Sequence, residues 1–329
     1  EYQQRYDFDV TYDSSRNPMR VGDAVGYNCY TLDGDKLNFV DVEQMSSEYY
    51  PLLLEKGFLK FYFENMIPHL AGFKTKDEAV RKYARACEET YLFFDYIKRA
   101  NSILQNEYGI PVEAPYGTGA NGLDQLFNYC RGIKGLSSDL RRKPQMVEDA
   151  LKLYYEESGA NSFFDTTDWN APEADECCWH VWMPMLSHTI LSPKQFERFM
   201  WPYMKDFMDR TVAHDITAEF FVEGGMLRFA DFFRECPSGH FVLWQEEDDI
   251  REVKKALPNF CHMGGLSSVI LGKGTSEENI EQTKKVIDDV GYDGKLILTT
   301  YKFISYRYDC TRENLKAVMD FAKEYGSIK

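Results

Sequence analysis

The run ITAEFFVEGG, Ile216 to Gly225, opens the part of the chain that decides its fold. Phe220, Phe221 and Val222 read as the apolar middle of a buried strand, and the run stops on an acid, Glu223, followed by two glycines. Towards the C-terminus the pattern repeats. This first strand is followed by GMLRFADFFREC; then come GHFVLWQEED and DIREVKKAL, NFCHMGG and TSEENIEQTKKVIDDV, GKLILTT and TRENLKAVMDFAKEYG. Towards the N-terminus, GIPVEAP precedes the helical SSDLRRKPQMVEDALKLYYEE, and HVWMPML precedes SPKQFERFMWPYMKDFMDRTVA, where Ser192 is the N-cap and Pro193 the first helical residue. Short apolar strands separated by helices make parallel βα units. A series this regular predicts an α/β fold of the (β/α)8 TIM-barrel type rather than an open doubly wound sheet. Six strands are visible, and the missing pair is expected in the Tyr-rich start or before residue 1.

No Pro/Gly/Ser-rich linker divides the chain, so one domain is expected. Residues 1–108 form a helical and irregular region that completes the barrel, and 109–329 form its main portion. Within the first region a hairpin is expected at CYTLDGDKLNFV, turning on Asp33-Gly34, followed by helical spacing over Glu55 to Leu70 and Lys76 to Asn106.

Against 38 basic residues stand 53 acidic ones, a net charge of -15 that repels phosphate backbones and anionic headgroups. The densest basic run, Arg141 to Lys143, reads as a solvated helix face, so neither nucleic acid nor membrane is an expected partner. No apolar run approaches the ~18 residues of a bilayer span, and the expected location is cytoplasmic. The eight cysteines form no CxxC pair and read as reduced thiols. With 22 Tyr and 23 Phe, the chain has aromatic surface for a large core and for a flat ligand.

Barrel chemistry sits at the carboxyl ends of the strands. Those ends carry Glu223-Gly224-Gly225, Gln245 to Asp249, Cys261 to Gly265, and Thr299 to Lys302. Three accounts of this cluster compete. Glu223, with Glu246 or Glu247, and His262 could ligate Zn²⁺ with one position open to substrate. Glu223 and Lys302 could face each other across the mouth as an acid/base pair. Alternatively Glu246 to Asp249 merely cap the next helix, the better account for Asp248 and Asp249.

Several stretches are similar to one family. LSPKQFERFMWPYMKDFMD, CHMGGLSSVILGKGTSEENIEQTKKVIDD, TRENLKAVMDFAKEYG and LFNYCRGIKGLSSDLRRKPQMVEDAL resemble segments of the uroporphyrinogen decarboxylase superfamily, from about Gly109 onward. The resemblance implies a (β/α)8 barrel. The decarboxylases carry an arginine motif that has no counterpart in this sequence. Coenzyme M methyltransferases of the superfamily hold zinc on residues whose places here are taken by Phe221, Glu223 and Lys302. The pattern therefore resembles the corrinoid-linked members of anaerobic metabolism, and implies O-demethylation or N-demethylation: transfer of a methyl group from a methoxylated or N-methylated small molecule to a corrinoid protein. Glu223, Lys302 and His262 are the expected catalytic groups, and Phe221, Tyr301, Tyr306 and Tyr308 the expected substrate contacts. A zinc ion on Glu223, Glu247 and His262 is a further expectation, and the resemblance leaves room for a homodimer. The rival expectations are a uroporphyrinogen decarboxylase and a non-catalytic barrel that binds a tetrapyrrole or other metabolite.

Overall fold

The computed structural model describes residues 6, 8–12, 19–34, 36–113, 115–118, 121–157, 164–166 and 180–326. The Cys177-Cys178 pair lies outside them.

Ten strands fall within the described residues: β1 (Thr11–Tyr12), β2 (Tyr30–Asp33), β3 (Lys36–Phe39), β4 (Val112–Glu113), β5 (Pro115–Thr118), β6 (His180–Met185), β7 (Thr217–Val222), β8 (Phe241–Gln245), β9 (Cys261–Leu266) and β10 (Leu296–Thr300). β5 to β10 lie side by side in chain order, every pair parallel. β4, one residue before β5, pairs in parallel with β1. Helices separate β6 to β10, as the alternation requires, and the arrangement is that of a (β/α) barrel. The six strands visible in the sequence are all present, and β1 is a further one in the Tyr-rich start. β2 and β3 form the expected antiparallel hairpin, with Gly34 at φ +64°.

Period-two alternation sorts the barrel residues. Pro184, Phe221, Trp244, Met263 and Ile297 stand at one level across five strands, and Phe221, Trp244 and Met263 pack together in the interior. Phe220, Val222 and Leu243 point the other way, into the main core beneath the helices with Met204, Phe207 and Phe233. Each large side chain buried there contributes about 1.5–3 kcal/mol. The helices start on local chemistry: Ser192, the expected cap, forms a capping box with Gln195 ahead of Pro193–Phe199, and Thr275 forms another with Glu278 ahead of Ser276–Val290. The long helix expected over Lys76 to Asn106 runs Lys76–Tyr108. The stretch from Glu55 to Leu70 is broken instead, by Gly57 at φ +89° and by a π turn over Tyr62–Met66. Among the described residues no helix is long and apolar enough to cross a membrane.

Candidate functional site at the barrel mouth

The strand ladder runs one step past β7 and β8. Glu223 N–H donates to the Met185 carbonyl (2.9 Å), and Glu246 N–H donates to that of Val222 (3.1 Å). Because Val222 pairs with Gln245, the next pair is Glu223 and Glu246, both on the inward face with Phe221 and Trp244. A third acid joins them from helix Gly122–Leu126. Asp124 is buried and accepts N–H bonds from Leu186 (3.2 Å) and Ser187 (2.5 Å), just past the end of β6.

Burial raises the Glu223 carboxyl to about 7, and the negative charges of Glu246 and then Asp124 add to the shift. Burial likewise raises Asp124 to about 6, although its hydrogen bonds from Leu186 and Ser187 oppose the change. The mouth therefore holds two carboxyls that exchange protons near neutral pH, which is what a general acid or base needs.

The two glycines after Glu223 have a steric cause. Gly224 sits at φ +83°, and a Cβ there would lie 2.7 Å from the Thr189 methyl. Arg228 braces the same corner, its Nη2 donating to the carbonyls of His188 (2.7 Å) and Thr189 (2.8 Å). Asp248 accepts N–H bonds from Met226 (2.5 Å) and Leu227 (2.9 Å), and Asp249 caps the helix Ile250–Ala256. Both are structural, as their positions near helix starts suggest.

Aromatic rings floor the site. Phe303, in the loop after β10, lies over Phe221 and Trp244 with ring centroids 5.3 and 4.8 Å away, and it is 43% exposed. Trp244 is anchored by its Nε1–H to the Thr300 carbonyl (2.8 Å). A flat ligand thus meets one exposed ring above two buried ones.

Several expected site residues do not converge here. His262 pairs in register with Leu243 and Leu296, on the outward face, and its Nε2 lies 3.0 Å from the Leu257 carbonyl oxygen. Its burial depresses the imidazole to about 4, so it is neutral and structural. Glu247 is exposed, its carboxylate 3.9 Å from where a Gly224 Cβ would stand, and together with Glu246 it lines a cleft of about 730 Å³. The set Glu223, Glu247 and His262 is therefore not brought together. Among the described residues no three His, Cys, Asp or Glu side chains are placed to share an ion, so the residues do not fit the expected zinc site. Tyr301 also turns outward, packing with Ile250 and Val286. Tyr306 and Tyr308 stack on each other at 5.2 Å on the loop after β10, where the Tyr308 carbonyl leaves only glycine room at Gly272. Of the four expected contacts, Phe221 is the one inside the mouth. Lys302 is half-buried beside Phe303 in the chain, and its carbonyl accepts the Thr300 hydroxyl (2.6 Å). The charges acting on Glu223 are both negative, and among the described residues no ion pair joins it to Lys302.

Asp124 and Phe303 escape sequence reasoning. Asp124 follows Asn121 by three positions, so it reads as an ordinary first-turn acid; only the barrel brings that turn to the end of β6.

Fold and mouth define a (β/α) barrel with an acidic, aromatic site at the carboxyl ends of its strands. Residues 178–325 match the family described as uroporphyrinogen decarboxylase (URO-D), so the resemblance to that superfamily is carried by this segment. Among solved structures, a methyltransferase from Methanosarcina mazei is similar with a TM-score of 0.61, at 14% identity, over 99% of this chain and 83% of that one. At that identity the likeness is one of fold. No curated protein sequence matches. Both comparisons are with enzymes.

Proposed function

We propose that the chain is a methyltransferase that takes a methyl group from a methoxylated or N-methylated small molecule and passes it to a corrinoid protein. The observation that carries this reading is Glu223, an acid raised to about 7 at the end of β7, facing inward beside an aromatic floor.

An ether oxygen is a poor leaving group unless it gains a proton as the bond to carbon breaks. The donor's ring lies against Phe303 with Phe221 and Trp244 beneath. The protonated Glu223 carboxyl gives its proton to the departing oxygen, the oxygen–methyl bond breaks, and the free hydroxyl compound leaves. A reduced corrinoid on the partner protein would supply the nucleophile that takes the methyl carbon. Burial keeps Glu223 protonated, and like-charge repulsion from Glu246 and then Asp124 adds to it. Lys302, on the loop that carries Phe303, can hold an anionic group on the donor. Tyr306 and Tyr308 extend that loop's aromatic surface at the rim.

A polycarboxylate such as uroporphyrinogen would meet three acids at this mouth, which disfavours the decarboxylase reading. The test is methyl transfer to reduced corrinoid from a panel of methoxylated aromatics and methylated amines, followed by the cobalt absorption change. Transfer from one class of donor, lost in Glu223→Gln, supports the proposal. Turnover of uroporphyrinogen, or no transfer from any donor, overturns it.

A further inference from the structure

Away from the mouth, the N-terminal region borders a second, partly open cavity of about 660 Å³. It lies between helix Met19–Val25, the β2–β3 hairpin, the π turn Tyr62–Met66 and the long helix Lys76–Tyr108. In a chain of net charge -15, none of the described residues lining it is charged. Five of them are tyrosines: Tyr27, Tyr30, Tyr62, Tyr83 and Tyr129.

The hydroxyls are not all committed. Tyr83 donates to the Phe63 carbonyl at 2.5 Å, whereas those of Tyr27 and Tyr62 make no hydrogen bond to a described residue. Burial raises both of these phenols, so they stay protonated and can donate as well as accept. Tyr62, Phe63 and Tyr129 also line an adjoining groove of about 290 Å³ that reaches Gln125, the neighbour of Asp124. The groove, not the cavity, borders the helix Gly122–Leu126.

We infer that this cavity is a second binding site, specific for a neutral, flat aromatic of one to three rings bearing a hydroxyl or ether oxygen. Volume sets the size, since small-molecule sites span about 300–1,000 Å³. The uncharged wall sets the charge, because an ion entering would lose its hydration without a counter-charge. The edge-on rings of Tyr62, Phe63 and Tyr83 set the shape, and the free Tyr27 and Tyr62 hydroxyls set the need for an oxygen. The inference is independent of the methyl-transfer reading, as it invokes neither donor nor corrinoid.

The test is fluorescence titration of the full chain with 2-naphthol, with naphthalene-2-sulfonate as the charged counterpart and 1-decanol as the flexible apolar one. We expect 2-naphthol to bind at least tenfold more tightly than either. Ala86→Trp, which fills the cavity from the long helix, is expected to weaken 2-naphthol at least tenfold. Tyr62→Phe keeps the volume, and should weaken 2-naphthol three- to tenfold while changing naphthalene less than twofold. Should Ala86→Trp fail to fold, Tyr62→Phe still decides. Equal binding of the sulfonate or of decanol, or a 2-naphthol affinity indifferent to Tyr62→Phe, overturns the inference. Loss of this site would leave the methyl-transfer assay untouched.

Discussion

The two ends of the barrel treat ionisable groups in opposite ways. At the carboxyl ends, Glu223, Glu246 and Asp124 gather with like charge, and Glu223 and Asp124 are raised towards neutrality. Near the amino ends, Lys254 is 2% exposed and pairs with Asp293 at 2.8 Å, and His262 rests on the Leu257 carbonyl. Where charges are paired the fold is being held; where acids are buried without a counter-charge, proton chemistry is available. The same contrast separates Glu223 from His262, which the sequence offers as equal candidates.

Glu223→Gln should have the largest effect, about a 10³-fold loss of methyl transfer from an ether donor, measured by the cobalt absorption change. A loss under tenfold would remove Glu223 from the role of proton donor. At the other end, Asp293→Ala strands a buried ammonium and should cost about 3 kcal/mol in urea unfolding, with activity per folded molecule retained. His262→Ala should cost about 2 kcal/mol, through a buried cavity and a lost hydrogen bond, again sparing transfer. A rate collapse in His262→Ala without loss of stability would erase the distinction between the two ends.

The pH dependence should differ as well. Glu223 acts in its protonated form, so transfer should fall as pH rises through about 7. The folded state also holds protons on Glu223 and Asp124 between their ordinary values of 4.5 and 3.8 and their raised ones of about 7 and 6. The unfolded chain releases those protons, so this pair makes stability fall as pH rises across that window. Glu223→Gln should flatten the slope in unfolding at pH 5 and pH 8. His262 works in the opposite sense: neutral when folded, with its imidazole lowered from 6.5 to about 4, it makes stability fall as pH drops through that range. The smallest effect is expected for Tyr301→Phe, under twofold in transfer, because its ring packs outside the strands with Ile250 and Val286.

Local chemistry was legible in the sequence by itself. Strand and helix order, the capping residue Ser192, the hairpin at Asp33-Gly34 and the parallel series from β6 to β10 all follow from apolar periodicity and turn residues, whereas β5, in PYGT, does not. So does Glu223, because an acid after an apolar strand and before two glycines is unusual within a single segment. What only the tertiary structure decided is which residues face each other. Registers between neighbouring strands placed Glu246 opposite Glu223, and sent His262 to the outer side. Asp124 and Phe303 come from segments far apart in the chain, and each reaches the strand ends through tertiary contacts, Asp124 with Leu186 and Ser187 and Phe303 with Phe221 and Trp244. A side chain's facing reverses with a shift of one residue, and no local propensity is sensitive to that shift.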